Sequence, residues 1–202
     1  IRVCGCVNSQ KSHMMYALGD GCKYKVIACS SETKAKQIYE EYRFLDSNTY
    51  LYPAKDFLFY QADIRSKELV KQRMEGIQAV LSGEPVTVVT SLDGFMDHLA
   101  PKESIAEKVL KVQNDSVLKL DEMAEKLSVI GYDREVQVEG PGQFAVRGGI
   151  LDIYPLTEEL PVRIELWGDE VDSIRTFDVE SQRSIENLMD IVIYPAVEFP
   201  QN

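Results

Sequence analysis

The chain of 202 residues has few of the features that mark membrane, secreted or nucleic-acid-binding proteins. No apolar run approaches the roughly 20 residues needed to span a bilayer, and no signal-peptide pattern opens the sequence. There are 22 Lys and Arg against 33 Asp and Glu, a net charge of −11, and the basic residues form no cluster of four or more. Because nonspecific DNA binding requires basic side chains that neutralise phosphates, this charge balance argues against it. We expect a cytoplasmic protein that does not contact a membrane.

Cysteine and histidine are also scarce. The cysteines are confined to the amino-terminal end, at Cys4, Cys6, Cys22 and Cys29, without the paired C-x-x-C spacing of a zinc site. His13 and His98 have no nucleophile or carboxylate partner at a recognisable spacing. We therefore predict no metal, no cofactor and no catalytic residues, with the thiols reduced. The first residue is Ile1 rather than methionine, so we expect a piece of a longer protein.

The order of predicted elements divides the chain in two. Residues 1–102 alternate strand-like and helix-like segments, which predicts an α/β subdomain with a parallel sheet and right-handed crossovers. Residues 103–202 predict a smaller α+β domain with a mainly antiparallel sheet. In that second part, Asp115 is expected to cap a helix that turns Val117, Leu120, Ala124 and Leu127 inward.

A motif similar to a phosphate-binding loop lies near the start of the chain. The run GCVNSQKS, residues 5–12, follows a strand-like segment and opens a helix, as G-x-x-x-x-G-K-[ST] loops do. Gly5, Lys11 and Ser12 match, but Gln10 stands where the second glycine belongs. Glutamine costs about 1–2 kcal/mol if forced into the left-handed conformation, and its side chain occupies the space of phosphate oxygens. We interpret the loop as vestigial; the alternative function is a nucleotide-binding or ATP-dependent helicase fragment that uses it.

The strongest signal for binding lies in residues 141–183. Alternation from Val162 places apolar side chains on one face and polar or aromatic ones on the other: Val162, Ile164 and Leu166 against Arg163, Glu165 and Trp167. Because the apolar trio defines the core face, Trp167, the only tryptophan, is expected on the solvent side. Arg147, in the preceding strand, is predicted to join Arg163 there.

The turn that follows fixes the expected register. Gly168-Asp169 is a two-residue hairpin signal, which predicts Trp167 opposite Glu170 and Arg163 opposite Ile174. Tryptophan and arginine on an open sheet face are typical of interaction hot spots. The alternative interpretation is a structural, salt-bridged arginine pair beside a half-buried tryptophan.

These runs resemble a known family. The segments GCVNSQKS, YPAKDFLFYQADIRSKELVKQR, GQFAVRGGILDIYPLTEELPVRIELWGDEVDSIRTFDVESQRS and YPAVEFP are similar to the amino-terminal part of the bacterial transcription-repair coupling factors, the Mfd family. That region is itself similar to the excision-repair protein UvrB. The resemblance covers essentially the whole chain and is most specific from Phe144 to Ser184. It implies a helicase-like subdomain followed by a domain that docks the damage-recognition ATPase UvrA.

The resemblance also assigns roles. It implies that Arg147, Arg163 and Trp167 dock UvrA, and that Gln10 is expected because the ATPase motor of the family lies elsewhere. Only Pro53–Ile64 stands where UvrB has its tyrosine-rich hairpin, so damage probing is not implied. RNA polymerase and DNA would be contacted only by parts of the full-length protein outside this chain. The prediction is a non-catalytic fragment that recruits UvrA by protein contact.

Overall fold

The computed structural model describes residues 4–55 and 63–198. Residues 56–62, within the predicted loop Pro53–Ile64, lie outside this range. The chain forms two compact units that divide between His98 and Leu99. Among the helices described, none has both the length and the apolar composition needed to cross a bilayer.

The first unit is a parallel sheet with helical crossovers. Its helices are α1 (Asn8–Leu18), α2 (Glu32–Tyr42), α3 (Asp63–Ser82) and α4 (Leu92–Met96), and its strands are β1 (Tyr24–Cys29), β2 (Thr49–Tyr52) and β3 (Val86–Ser91). The strand order is β1-β3-β2, and both pairings are parallel. Parallel neighbours need a crossover, which α2 and α3 provide. The prediction of an α/β subdomain with a parallel sheet is confirmed.

Local sequence accounts for the packing of α2 on this sheet. Ser31 caps the helix by accepting a hydrogen bond from the backbone amide of Lys34 at 3.3 Å. The spacing of Ala35 and Ile38 puts both side chains on one stripe, which packs against Val89 of the central strand. The amphipathic pattern therefore fixes which face of α2 covers the sheet.

The second unit is mainly antiparallel. Its helices are α5 (Lys102–Ala106) and α6 (Leu120–Val129), and its strands are β4 (Leu110–Gln113), β5 (Asp133–Arg134), β6 (Gln143–Arg147), β7 (Ile150–Tyr154), β8 (Val162–Trp167), β9 (Glu170–Phe177), β10 (Ser184–Leu188) and β11 (Asp190–Ile193). A six-stranded sheet has the order β10-β9-β8-β7-β6-β5, in which only β5 and β6 pair in parallel, and β4 pairs with β11. The α+β prediction is confirmed.

Two local predictions in this unit are wrong. The helix begins at Leu120 rather than after Asp115, and Val117 is exposed rather than inward-facing. Trp167 does lie opposite Glu170, but Arg163 faces Arg175 instead of Ile174. A β-bulge between these positions gives β9 one extra residue, which shifts the register by one. The bulge allows both Val171 and Ile174 to be buried although they are three residues apart.

The end of α6 depends on a glycine. Gly131 follows the helix with φ +95°, and a Cβ there would lie 2.6 Å from Cγ1 of Val197. We expect Gly131→Ala to lower the free energy of unfolding by about 2 kcal/mol, because left-handed strain adds to the overlap. Gly140→Ala is the control, since Gly140 has no positive φ and no atom within 4 Å of that position. Urea denaturation measures both; equal losses would contradict this account of the helix end.

Candidate protein-docking surface

The register of the six-stranded sheet gathers charged residues on its outer face. Residues directly opposite one another on neighbouring strands share a face. Arg147 lies opposite Ile150, and Ile150 is on the same side of β7 as Asp152. Asp152 lies opposite Arg163, which lies opposite Arg175, so these residues share one surface. By alternation along β8, Glu165 and Trp167 lie on it too. The predicted site residues of this unit are all brought to that face.

The orientation predicted for β8 is confirmed. Val162 and Ile164 are buried, and Leu166 is half-buried on the same side. The side chain of Trp167, at the tip of the β8–β9 hairpin, is 85% exposed. Gly168 has φ +64° at the first position of the two-residue turn, as a type II′ turn requires. The indole therefore lies in solvent at the tip of the hairpin, and the interpretation of a half-buried tryptophan is wrong.

A buried carboxylate organises the arginines. Asp152 on β7 is only 1% exposed, and its two oxygens accept three hydrogen bonds. Arg163 donates from Nε to Oδ1 at 2.7 Å and from Nη2 to Oδ2 at 2.8 Å, while Arg147 donates from Nη2 to Oδ2 at 2.7 Å. The two contacts from Arg163 form a bidentate charged pair, the strongest class of side-chain hydrogen bond. The arginine pair is thus salt-bridged, as the alternative interpretation expected.

Arg147 and Arg163 differ in the fraction of the side chain that is exposed to solvent. The side chain of Arg163 is 15% exposed, and its guanidinium lies 4.4 Å from the centre of the Phe177 ring. Its hydrogen bonds to Asp152 raise the pKa of Arg163 above the usual range, although burial opposes this. The side chain of Arg147 is 44% exposed and uses one nitrogen for Asp152. Arg147 therefore offers donors at the surface, whereas Arg163 is largely engaged within the sheet.

Three residues of this surface were not identified from the sequence. Asp152 is the acceptor for both arginines, and Arg175 forms an ion pair with Glu165. Gln182 accepts a hydrogen bond from Nη2 of Arg163 at 2.7 Å. Asp152 could have been found as the only polar residue within the apolar run ILDIY. Gln182 gives no such signal, because it approaches Arg163 only when the loop between β9 and β10, residues 178–183, folds back over the sheet.

That loop is shaped by its own hydrogen bonds. The carboxylate of Asp178 accepts from the backbone amide of Ser181 at 2.8 Å and from its hydroxyl at 2.6 Å. The hydroxyl bond, followed by the amide bond, lowers the pKa of Asp178. Gln182 takes φ +58°, which a non-glycine residue adopts only where its surroundings impose it. The strained residue is the one that reaches Arg163.

The run GCVNSQKS, residues 5–12, which the sequence predicts to be a vestigial phosphate loop, lies in the first unit. Helix α1 begins at Asn8 after Val7, which gives no side-chain cap, and Gly5 has φ +82°. Ser12 is buried, and its hydroxyl donates to Oε2 of Glu41 on α2 at 2.8 Å. This hydrogen bond is the main reason that the pKa of Glu41 is lowered. In a working loop that hydroxyl ligates magnesium, whereas here it is bound to a carboxylate.

Lys11 is half-buried and Gln10 is exposed on the same helix. Over residues 4–55 and 63–198, no three His, Cys, Asp or Glu side chains group as ligands of a metal ion would. The two sets of predicted residues therefore differ in character. Within residues 5–12 the hydroxyl of Ser12 is bonded to Glu41, whereas the outer face of the second unit presents the exposed side chains of Trp167 and Arg147.

Comparison with known proteins assigns the second unit to a recognised domain type. The sequence model of the UvrB interaction domain matches residues 110–199. The chain is 41% identical over 153 residues to the transcription-repair-coupling factor of Bacillus subtilis (strain 168), which is 76% of this chain and 13% of that protein. It is 38% identical over 154 residues to the corresponding factor of Staphylococcus epidermidis, again 76% and 13%. For Staphylococcus aureus (strain Mu50) the identity is 35% over 158 residues, 78% and 13%.

These similarities confirm the family resemblance drawn from the sequence. Residues 110–199 match the UvrB interaction domain, and the chain is similar to transcription-repair coupling factors over about three quarters of its length. It spans 13% of the length of the relatives named above.

The buried carboxylate can be tested by an isosteric change. Asp152→Asn leaves the charge of Arg163 without its counter-ion, so the free energy of unfolding should fall by about 3 kcal/mol. Glu165→Gln is the control, because its pair with Arg175 is more exposed, at 33% and 27%, and should lose less than about 1 kcal/mol. Denaturant unfolding of both variants makes the comparison. A loss for Asp152→Asn no larger than for the control would show that the outer face is not organised by this residue.

The interpretation of residues 5–12 as a vestigial loop can be tested by restoring the missing glycine. We expect Gln10→Gly to bind Mg-ATP more weakly than about 1 mM, because Ser12 stays bonded to Glu41 and that carboxylate repels phosphate. Titration of a fluorescent nucleotide measures this, with Lys11→Ala in the same background as the control. Micromolar binding that Lys11→Ala abolishes would favour the nucleotide-binding alternative.

Proposed function

We propose that this chain is a non-catalytic recruiting segment of a transcription-repair coupling factor and that the outer face of its six-stranded sheet docks UvrA. The observation that carries the proposal is the exposed indole of Trp167 on the same sheet face as a salt-bridged arginine pair, within the residues that match the UvrB interaction domain. An exposed tryptophan offers a large apolar area, and because it has only two side-chain torsions, little entropy is lost when a partner buries it.

The proposed roles follow from exposure. Trp167 is the apolar anchor, which a partner pocket would bury. Arg147 donates charge-assisted hydrogen bonds to a partner carboxylate from the nitrogens that Asp152 leaves available. Arg163 acts as a positioning residue, since its own groups hold Asp152 and Gln182. A contact between Arg163 and the partner would be confined to its exposed edge.

Charge and chain length limit what else this segment does. The acidic balance opposes a general affinity for DNA. The matched region is 13% of each relative, so we assign polymerase binding, DNA binding and ATP hydrolysis to other parts of the full-length protein. The bond between Ser12 and Glu41 supports the absence of ATPase activity here.

Binding to purified UvrA tests the proposal. Trp167→Ala should raise the Kd by about 30-fold, since loss of an anchor costs about 2 kcal/mol. Arg147→Ala should weaken binding with little change in the free energy of unfolding, whereas Arg163→Ala should lower both. Isothermal titration calorimetry gives the affinities and denaturant unfolding the stabilities.

Phe44→Ala is the matched control, because Phe44 is an exposed aromatic residue in the first unit. It should leave the affinity unchanged. If Trp167→Ala and Phe44→Ala both bind as the unchanged chain does, the docking surface is assigned wrongly.

A further inference from the structure

We propose that the docking surface extends from Trp167 across Glu170 to Val117, and that the partner places a cationic side chain, arginine or lysine, on this row. The inference rests on the proposed function and adds a specificity element to it. The row is defined by strand register, by exposure and by the distribution of charge at the hairpin tip.

The register puts the three residues side by side. Trp167 on β8 pairs with Glu170 on β9, and Glu170 pairs in turn with Val117 in an antiparallel bridge. Opposite residues share a face, so the three side chains project together across three adjacent strand segments. At about 4.8 Å between strands, Trp167 and Val117 stand roughly 10 Å apart with the carboxylate between them.

The backbone holds the third segment in place. The amide of Val171 donates to the carbonyl of Ser116 at 2.9 Å, and the amide of Leu118 donates to that of Asp169 at 2.7 Å. The amide of Asp115 donates to the carbonyl of Val171 at 2.9 Å. Val117 is therefore fixed beside the hairpin before any partner arrives, and its side chain is 76% exposed.

The charge at this tip has the opposite sign to that around Arg147. Asp169, Glu170 and Asp172 are all exposed there. Lys119 is hydrogen-bonded to Glu122 at 2.8 Å, and that bond, with a smaller contribution from Asp169, raises the pKa of Lys119. A partner that fits the whole face must therefore present a carboxylate to Arg147 and a cation to Glu170.

The flanking apolar groups select how that cation binds. A guanidinium or ammonium group over the face of Trp167 gains a cation–π contact. Its alkyl stem can lie along Val117 while its charged head meets the carboxylate of Glu170. The carboxylates repel phosphate, so neither a nucleic acid nor an anionic membrane fits this row. A protein surface with a basic side chain does.

Charge reversal in the full chain tests the row against UvrA. Glu170→Lys should raise the Kd at least about tenfold, because it places like charges together, and Glu170→Gln should weaken binding and flatten its salt dependence. Val117→Ser should weaken binding by a few-fold through lost apolar contact. Glu125→Lys, an exposed change of the same charge on α6, is the control and should leave the Kd unchanged.

The outcomes separate this inference from the proposed function. If Trp167→Ala loses binding while Glu170→Lys and Val117→Ser bind normally, the extended row is overturned and the docking function stands. If the unchanged chain does not bind UvrA, the proposed function itself fails. If Glu125→Lys weakens binding as much as Glu170→Lys, the effect is one of net charge, and the specific contact is rejected.

Discussion

The outer face of the second unit depends on the burial of one carboxylate between two guanidinium groups. Asp152 alone on a buried strand would be strongly unfavourable, and the bidentate bonds from Arg163 compensate for its lost hydration. Arg163 also stacks on Phe177 and donates a hydrogen bond to Gln182. This one side chain therefore links β7, β8 and β9 with the loop that follows β9. Arg147 is then held at the edge of this network with donors facing water. These bonds are made within the chain itself, so for the proposed docking the network would need no ordering by a partner.

Much of this arrangement could be predicted from local pattern. Alternation of Val162 and Ile164 with Arg163 determines which face of β8 is buried, and Gly168 marks the turn that exposes Trp167. The predictions that are wrong or missing are those that depend on contacts between residues far apart in the sequence. The bulge in β9 leaves no clear mark in the sequence, so the turn predicts Ile174 opposite Arg163, whereas Arg175 lies there. Asp152 bonds residues five and eleven positions away, and such pairings emerge only when the sheet forms. Val117 follows a helical period in the sequence, yet a backbone bridge to Glu170 places it in an extended segment.

In the first unit, a sequence similar to a phosphate-binding motif uses its hydroxyl for an internal hydrogen bond. Helix α1 begins at Asn8, so Gln10, Lys11 and Ser12 all lie within it. Ser12 donates its hydroxyl to Glu41, and Gln10 replaces the glycine that phosphate requires. Spacing alone predicts the element and not the activity, because the activity depends on which groups stay available. In the second unit the groups at the hairpin tip do stay available, and they are suited to protein contact. The difference between internally bonded and exposed polar groups is what directs the proposed function to the second unit.

The central claim, that Trp167 is a solvent-exposed anchor that a partner buries, can be observed directly because the chain has only one tryptophan. Incorporation of 5-fluorotryptophan gives a single ¹⁹F resonance that belongs to Trp167. The account predicts a solvent-sensitive signal in the free chain, which shifts and loses its sensitivity to the H₂O/D₂O ratio when UvrA is added. A resonance already insensitive to solvent in the free chain, or unchanged at saturating UvrA, would contradict it.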